Sequence, residues 1–294
     1  AFSVDGSIVA SAGWDTDVRL WSARSGDELV ILRGHQNVVN SLDFSPDGRL
    51  LASASDDGTV RVWNVESGEL TKTLQTDAHH VHGVTFSPDG TLLAAAGFDG
   101  KITVRTATLT GHTKRVNDVE FSPDGQFLAS AASDMTVRLW DPLTAESIAT
   151  LVGHEHPVRC VAFTHNGERL VSGDEAGVIQ CWTAKGGKPV GSHQCALSDV
   201  WSVSVLNDGK TIAAAGDRDF VTMLDADGPS LRRHGDRAWC VAFSGEGHTF
   251  ATGSEDGTIV LWDAVDAERR IMLQLESEAI HDLSISPDGL TLAA

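Results

Sequence analysis

Twelve histidines, 41 carboxylates and four cysteines could supply a metal centre or an acid–base site, so their spacing is the first question. His79-His80-Val81-His82 puts His80 and His82 on one face of a strand, the placement of a metal-ligand pair. A zinc site needs three or four converging ligands, and these two read instead as solvated or partner-contacting side chains. His154-Glu155-His156 reads as one structural histidine followed by a loop. Cys160, Cys181, Cys195 and Cys240 have neither CxxC spacing nor the density of a disulfide framework. The Asp-Gly pairs lack the DxDxDG spacing of a calcium loop, and the phosphate-cradling GxxxxGK is absent. Serines and histidines recur at one place in successive units, which marks them as scaffold rather than nucleophile and base. No catalytic residue, metal site or cofactor is expected. The residue types left over suit binding: Trp14, Trp201 and Trp239 stand apart from the five other tryptophans, in a chain with no tyrosine.

The elements that must position these residues come from a repeat. A turn mark reads FSVDG at 2–6, FSPDG at 44–48, 86–90 and 121–125, FTHNG at 163–167, VLNDG at 205–209, FSGEG at 243–247 and ISPDG at 285–289. Successive marks are 42, 42, 35, 42, 42, 38 and 42 residues apart. The second unit predicts a strand over 38–44, a turn in which proline presets φ, strands over 50–55 and 59–63, and a fourth over 69–74. Short strands at this interval, with no helical periodicity between them, mean small antiparallel sheets repeated radially.

Residues 34–64, GHQNVVNSLDFSPDGRLLASASDDGTVRVWN, resemble the WD-repeat β-propeller family. The likeness extends strongly to 111–141 and 233–263 and more weakly across the chain, and is similar to the WD-repeat domains of bacterial multidomain regulatory proteins. It implies an all-β propeller of four-stranded antiparallel blades, and seven third-strand candidates (DVRLW, TVRVW, KITVR, TVRLW, VIQCW, FVTML and TIVLW) make it seven-bladed. The blades fall at approximately 1–33, 34–75, 76–110, 111–152, 153–192, 193–233 and 234–278, with 279–294 as closing or extra strands. Residues 280–286 would complete the N-terminal blade; the rival is a longer tandem propeller, since a chain starting at Ala1 in mid-pattern looks like part of something longer.

The resemblance also implies that a His, a Ser or Thr, an Asp and a Trp bond to one another in each blade. The matching sets are His35, Ser53, Asp57 and Trp63; His112, Ser130, Asp134 and Trp140; and His234, Thr252, Asp256 and Trp262. A buried carboxylate satisfied in this way fixes register. Other units depart from the pattern. Ser11, Asp15 and Trp21 lack a histidine, and His154, Ser172 and Trp182 face Ala176 in place of the acid. The third unit has Asp77, Ala95, Asp99 and Arg105, and the sixth Ala196, Ala214, Arg218 and Leu224. These two shortened units are expected to be the least stable.

In the first strand of the second unit, Val39, Leu42 and Phe44 break strict alternation, which predicts a bulge at Asn40-Ser41 that turns Asn40 to the mouth of the ring. Its equivalents are His82, Asn117, Arg159, Trp201, Trp239 and His281; two residues earlier come His80, Arg115, Pro157, Asp199 and Arg237. Trp14, Asp56, Phe98, Ser133, Glu175, Asp217 and Glu255 precede the tight turn. By resemblance these positions hold protein partners, and Trp14, Asn40, His82, Phe98, Arg115, Asn117, Arg159, Trp201, Arg237, Trp239 and His281 are the candidate binding residues. Tryptophan and arginine are the types enriched in interface hot spots. The plainer alternative is that Trp201 and Trp239 only plug the channel.

With 22 Lys+Arg against 41 Asp+Glu the formal charge is −19, which argues against binding to nucleic acid or an anionic membrane surface. The basic and aromatic residues of the expected face favour an acidic or phosphorylated peptide, or other domains of the same chain. No apolar run approaches a membrane span and no signal peptide opens the sequence, so a reduced, cytoplasmic setting is expected. The expected function is a non-enzymatic protein- or peptide-binding scaffold or sensor in a larger signalling protein. The competing expectation is a propeller enzyme or metal-binding protein with a channel site.

Overall fold

The computed structural model describes residues 1–104, 107–195, 198–206, 208–217, 220–224, 230–232, 234–244, 247–264, 268–275 and 279–294. The side chains of 220–224 and 230–232 are not described, and Arg105, Ala196 and Arg218 lie outside the described residues. The regular structure is antiparallel sheet, each sheet built from consecutive strands in chain order. Sheet 2 consists of Val39–Phe44, Leu50–Ser55, Thr59–Asn64 and Leu70–Gln75. The Ser-Pro-Asp-Gly mark joins its first two strands: Ser45 Oγ donates to Asp47 Oδ1 (2.6 Å) and accepts from the Leu50 amide (2.9 Å). Gly48 closes the turn at φ +70°, a conformation a side chain rarely adopts.

Burial runs from inside to outside. Nearly all of Leu50–Ser55 is buried, whereas Leu70–Gln75 is almost wholly exposed. Sheets 3 (81–109), 4 (116–152), 5 (158–194), 6 (200–232) and 7 (238–274) repeat the strand order, and sheets 3, 4, 5 and 7 repeat the burial from inner to outer strand. In sheet 3 the third and fourth strands, Ile102–Val104 and Ala107–Leu109, are only three residues each, as the shortened repeat predicts.

The chain forms two compact units, Ala1–Thr150 and Leu151–Ala294. In the first, apolar layers fill the spaces between sheets: Val18, Leu20 and Leu32 of sheet 1 meet Val39, Leu51 and Trp63 of sheet 2. Val60 and Val62 then meet Val81 and Val84, and Ile102 and Val104 meet Val116 and Phe121. In the second unit Val171 and Ile179 pack on Val200 and Val203, and Ala213 and Ala215 on Ala238 and Phe250. Sheet after sheet stacked through such layers is the blade packing of a β-propeller.

The blade count differs from the expectation. Among the described residues six blades have four strands, not seven. Sheet 1 has three strands: Ile8–Ala12, Val18–Ser22 and Glu28–Leu32. Its first-strand edge is taken by Ala1 and Phe2, through the Phe2–Val9 bridge and the Ala1–Ala10 backbone bonds. Residues 280–286 pair within their own unit. Ser284–Ile285 pairs with Leu292–Ala293 in a two-stranded hairpin across the local Ser286–Gly289 turn, while the Ile280 amide bonds to Ser254 O. A short loop closes with less entropy loss than a long-range pairing, and the local hairpin forms.

The predicted bulge is present, and it recurs. Register shifts fall at Asn40 between Val39 and Ser41, and at His82, Asn117, Arg159, Trp201 and Trp239 in the corresponding strands. The residue after each bulge pairs with the second strand, and size is matched there: Ser41 faces Ala54, whereas Cys160 faces Gly173 and Cys240 faces Gly253.

Candidate functional site

Two kinds of polar constellation are built on these blades. The first is internal. Burial lowers the His35 pKa, outweighing the opposing pull of Asp57, so the ring is neutral. It donates from Nδ1 to Asp57 Oδ2 (2.8 Å) and accepts at Nε2 from Ser53 Oγ (2.7 Å), which in turn accepts from Trp63 Nε1 (2.9 Å). Burial would raise the Asp57 pKa, but bonds from Thr59, the Gln36 amide and His35 together pull it down to about 2. His112, Asp134, Ser130 and Trp140 repeat the chain at 3.0, 2.7 and 2.8 Å. In sheet 7, His234 Nδ1 lies 2.5 Å from Thr258 Oγ1, whose hydroxyl donates to Asp256, while Thr252 bridges His234 Nε2 and Trp262.

Sheet 5 departs from the expectation that Ala176 leaves its histidine without an acid. Asp174, fully buried two residues upstream, accepts from His154 Nδ1 at 2.7 Å, and Ser172 joins His154 to Trp182. A fixed-offset motif cannot register a carboxylate displaced by two positions. Sheet 3 lacks the network: Lys101 Nζ bridges Asp77 (3.0 Å) and Asp99 (3.4 Å) beside buried Ala95. In sheet 1, Trp21 Nε1 donates to Ser11 Oγ at 2.8 Å while Asp15 pairs with Arg19.

The second kind is on the surface, where bulges and tight turns present side chains together. In the first unit Phe98 is the hub: His80 and His82 lie 5.1 and 4.9 Å from its ring, and the Arg115 guanidinium 5.2 Å. Arg115 and Asn117 both donate to Ser133 Oγ, at 3.2 and 3.1 Å. His80 meets Asp56 at 3.2 Å, and Asn40 donates to Asp56 (2.7 Å) and to Val81 O (3.0 Å). The histidine pair thus flanks an aromatic ring. Trp14 joins neither constellation and is 84% exposed.

In the second unit Arg159, Trp201, Trp239 and His281 form a ladder. The Arg159 guanidinium sits 4.4 Å above the Trp201 ring, Trp201 and Trp239 are 5.0 Å apart, and His281 follows at 5.6 Å. Each arginine is already engaged: Arg159 with Glu175 (2.8 Å) and Asp199 (3.6 Å), Arg237 with Asp217 (2.9 Å). Trp239 Nε1 donates to Glu255. The sequence places these carboxylates beside the arginines; it does not show that they pair with them.

A family model described as WD domain, G-beta repeat, matches residues 1–22, 26–64, 68–106, 103–141, 145–183 and 229–263. The chain belongs to that WD-repeat family. No curated protein matches the sequence. WD-repeat propellers are typically protein-interaction scaffolds and generally non-enzymatic. Among the described residues no three His, Cys, Asp or Glu converge as metal ligands. Burial raises the pKa of the Cys181 and Cys240 thiols, which withholds their thiolates. No helix among the described residues is long and apolar enough to cross a membrane.

In the WD-repeat ladder Asp199 faces Arg159 at 3.6 Å. Burial, aided by Glu175 and Asp217 and opposed by Arg159, raises the Asp199 pKa to about 6. A raised carboxylate pKa favours the fold fully below the unfolded value of 3.8, and that contribution is lost as pH rises through about 6. Asp199→Asn is therefore expected to stabilise the protein by on the order of 1 kcal/mol at pH 8 and by nothing at pH 4. Urea unfolding midpoints at the two pH values check this; an equal effect at both would contradict it.

Proposed function

We propose that this WD-repeat protein is a protein- or peptide-docking scaffold whose contact surface is carried by the bulged first-strand residues and the turn residues beside them. The observation that carries this reading is the Arg159–Trp201–Trp239–His281 ladder, which keeps large ring faces together at partly exposed positions. Aromatic and arginine side chains of this kind dominate interface energetics because they combine large contact area with polar reach. The Phe98 cluster with His82, Arg115, Asn117 and Asn40 supplies a second contact area. In this reading residues 1–294 act as one propeller in the cytoplasm, as the sensor or docking part of a larger signalling protein. An acidic or phosphorylated partner would have to compete with the carboxylates already held by Arg159 and Arg237.

Crosslinking mass spectrometry in cell lysate tests docking. Partner contacts are expected within reach of Trp201, Trp239 or Phe98 and are expected to fall at least tenfold when Arg159 and Trp201 are both replaced by alanine. Contacts confined to outer strands such as Arg269–Gln274, or unchanged in the double variant, would overturn the reading.

A further inference from the structure

We propose that the ladder of the second unit takes a cationic side chain, an arginine or lysine of a peptide segment, seated against the tryptophan faces and met by the surrounding carboxylates. The inference rests on the docking reading and specifies its ligand. The protein displays the recognition on itself. The Arg159 guanidinium lies 4.4 Å over Trp201 with Glu175 at 2.8 Å and Asp199 at 3.6 Å, the environment that an incoming guanidinium would need.

Charge favours the same occupant. Four carboxylates, Glu175, Asp199, Asp217 and Glu255, surround the rings against two guanidiniums, Arg159 and Arg237, and both guanidiniums are paired. An added cation finds surplus negative charge, whereas an added anion finds like charge and must first break an existing pair. Arginine exceeds lysine in this setting, because its planar group stacks on the ring while its edge donates to carboxylate.

The test is isothermal titration calorimetry of the full chain with four synthetic octapeptides in which glycine alternates with arginine, lysine, glutamate or phosphoserine, at about 150 mM salt. The arginine peptide is expected to bind at least tenfold more tightly than the glutamate and phosphoserine peptides. Trp201→Ala should weaken it at least tenfold, as should the surface triple variant Glu175→Gln, Asp217→Asn, Glu255→Gln, whose fold a thermal melt verifies. A triple variant of equal charge change, Asp27→Asn, Glu66→Gln, Glu146→Gln, should alter binding less than twofold. If the two triples weaken binding alike, the peptide senses only the net charge of −19 and the inference fails. If the acidic peptides bind as well or better and Trp201→Ala abolishes it, docking stands and its chemistry is the reverse. If no peptide binds while lysate crosslinks still converge on Trp201 and Trp239, docking again stands without the cationic ligand.

Discussion

Asp174→Ala is expected to destabilise the protein by about 3 kcal/mol, because it removes the acceptor of three buried or half-buried donors at once. The carboxylate, with no solvent exposure, accepts from His154 Nδ1 at 2.7 Å and from the amides of Ala176 and Val178 at 2.9 Å each. Burial pushes its pKa up, and those three bonds outweigh burial and bring it below the usual carboxylate range. The contribution of a depressed carboxylate is present above its unfolded pKa of 3.8 and is lost as pH falls through the folded value. The deficit of the variant should therefore be full at pH 7 and shrink below about pH 4. Asp174→Ser combined with Ala176→Asp moves the acid to the position that Asp57 holds in sheet 2, where Ser55 stands two residues before it. This double variant is expected to recover most of the loss. Urea midpoints decide the matter: a single-variant loss under about 1 kcal/mol, or a double variant no better than the single, would show that Asp174 does not do the work of the displaced acid.

Gly173→Ala is expected to cost about 2 kcal/mol through overpacking alone, since its backbone φ does not demand glycine. A methyl group there would stand 2.5 Å from Val200 Cγ1 and 3.0 Å from Cys160 Sγ. The remedy is visible in the same fold. At the equivalent place in sheet 2, Ala54 is accommodated because its cross-strand partner is Ser41 in place of a cysteine, with Val81 as the neighbour from the next sheet. Gly173→Ala with Cys160→Ser should regain more than half of the loss, because it recreates that triad. Equal stability of the single and double variants would place the strain wholly on Val200.

Much of the fold is legible because its signal is repeated and local. The Ser-Pro-Asp-Gly turn, the tight Asp-Gly turn and the strands between them follow from residue type, and the bulge at Asn40 follows from a broken alternation within six residues. The networks at His35 and His112 close through the same atoms because their members stand at a constant offset on a constant backbone. Where the offset changes, as from Ala176 to Asp174, the motif cannot see what three-dimensional proximity allows. Blade number differs from the expected seven for a related reason. Counting strand-like segments does not say which edge each will pair with, and Ser284–Ile285 pairs with its own neighbour Leu292–Ala293.

The surface shows the same division. Residue types alone determined which positions project at the bulges and that tryptophan, arginine and acid alternate there. Only the tertiary structure decided which of them meet: Trp201 on Trp239 and Arg159 on Trp201, with Arg159 and Arg237 held by Glu175 and Asp217. These partners stand 16 to 42 residues apart, on different strands and turns, so their pairing depends on how successive blades stack. That stacking turns arginines that look ready for an acidic partner into ion-paired ones, and leaves a ladder of rings rimmed by excess carboxylate.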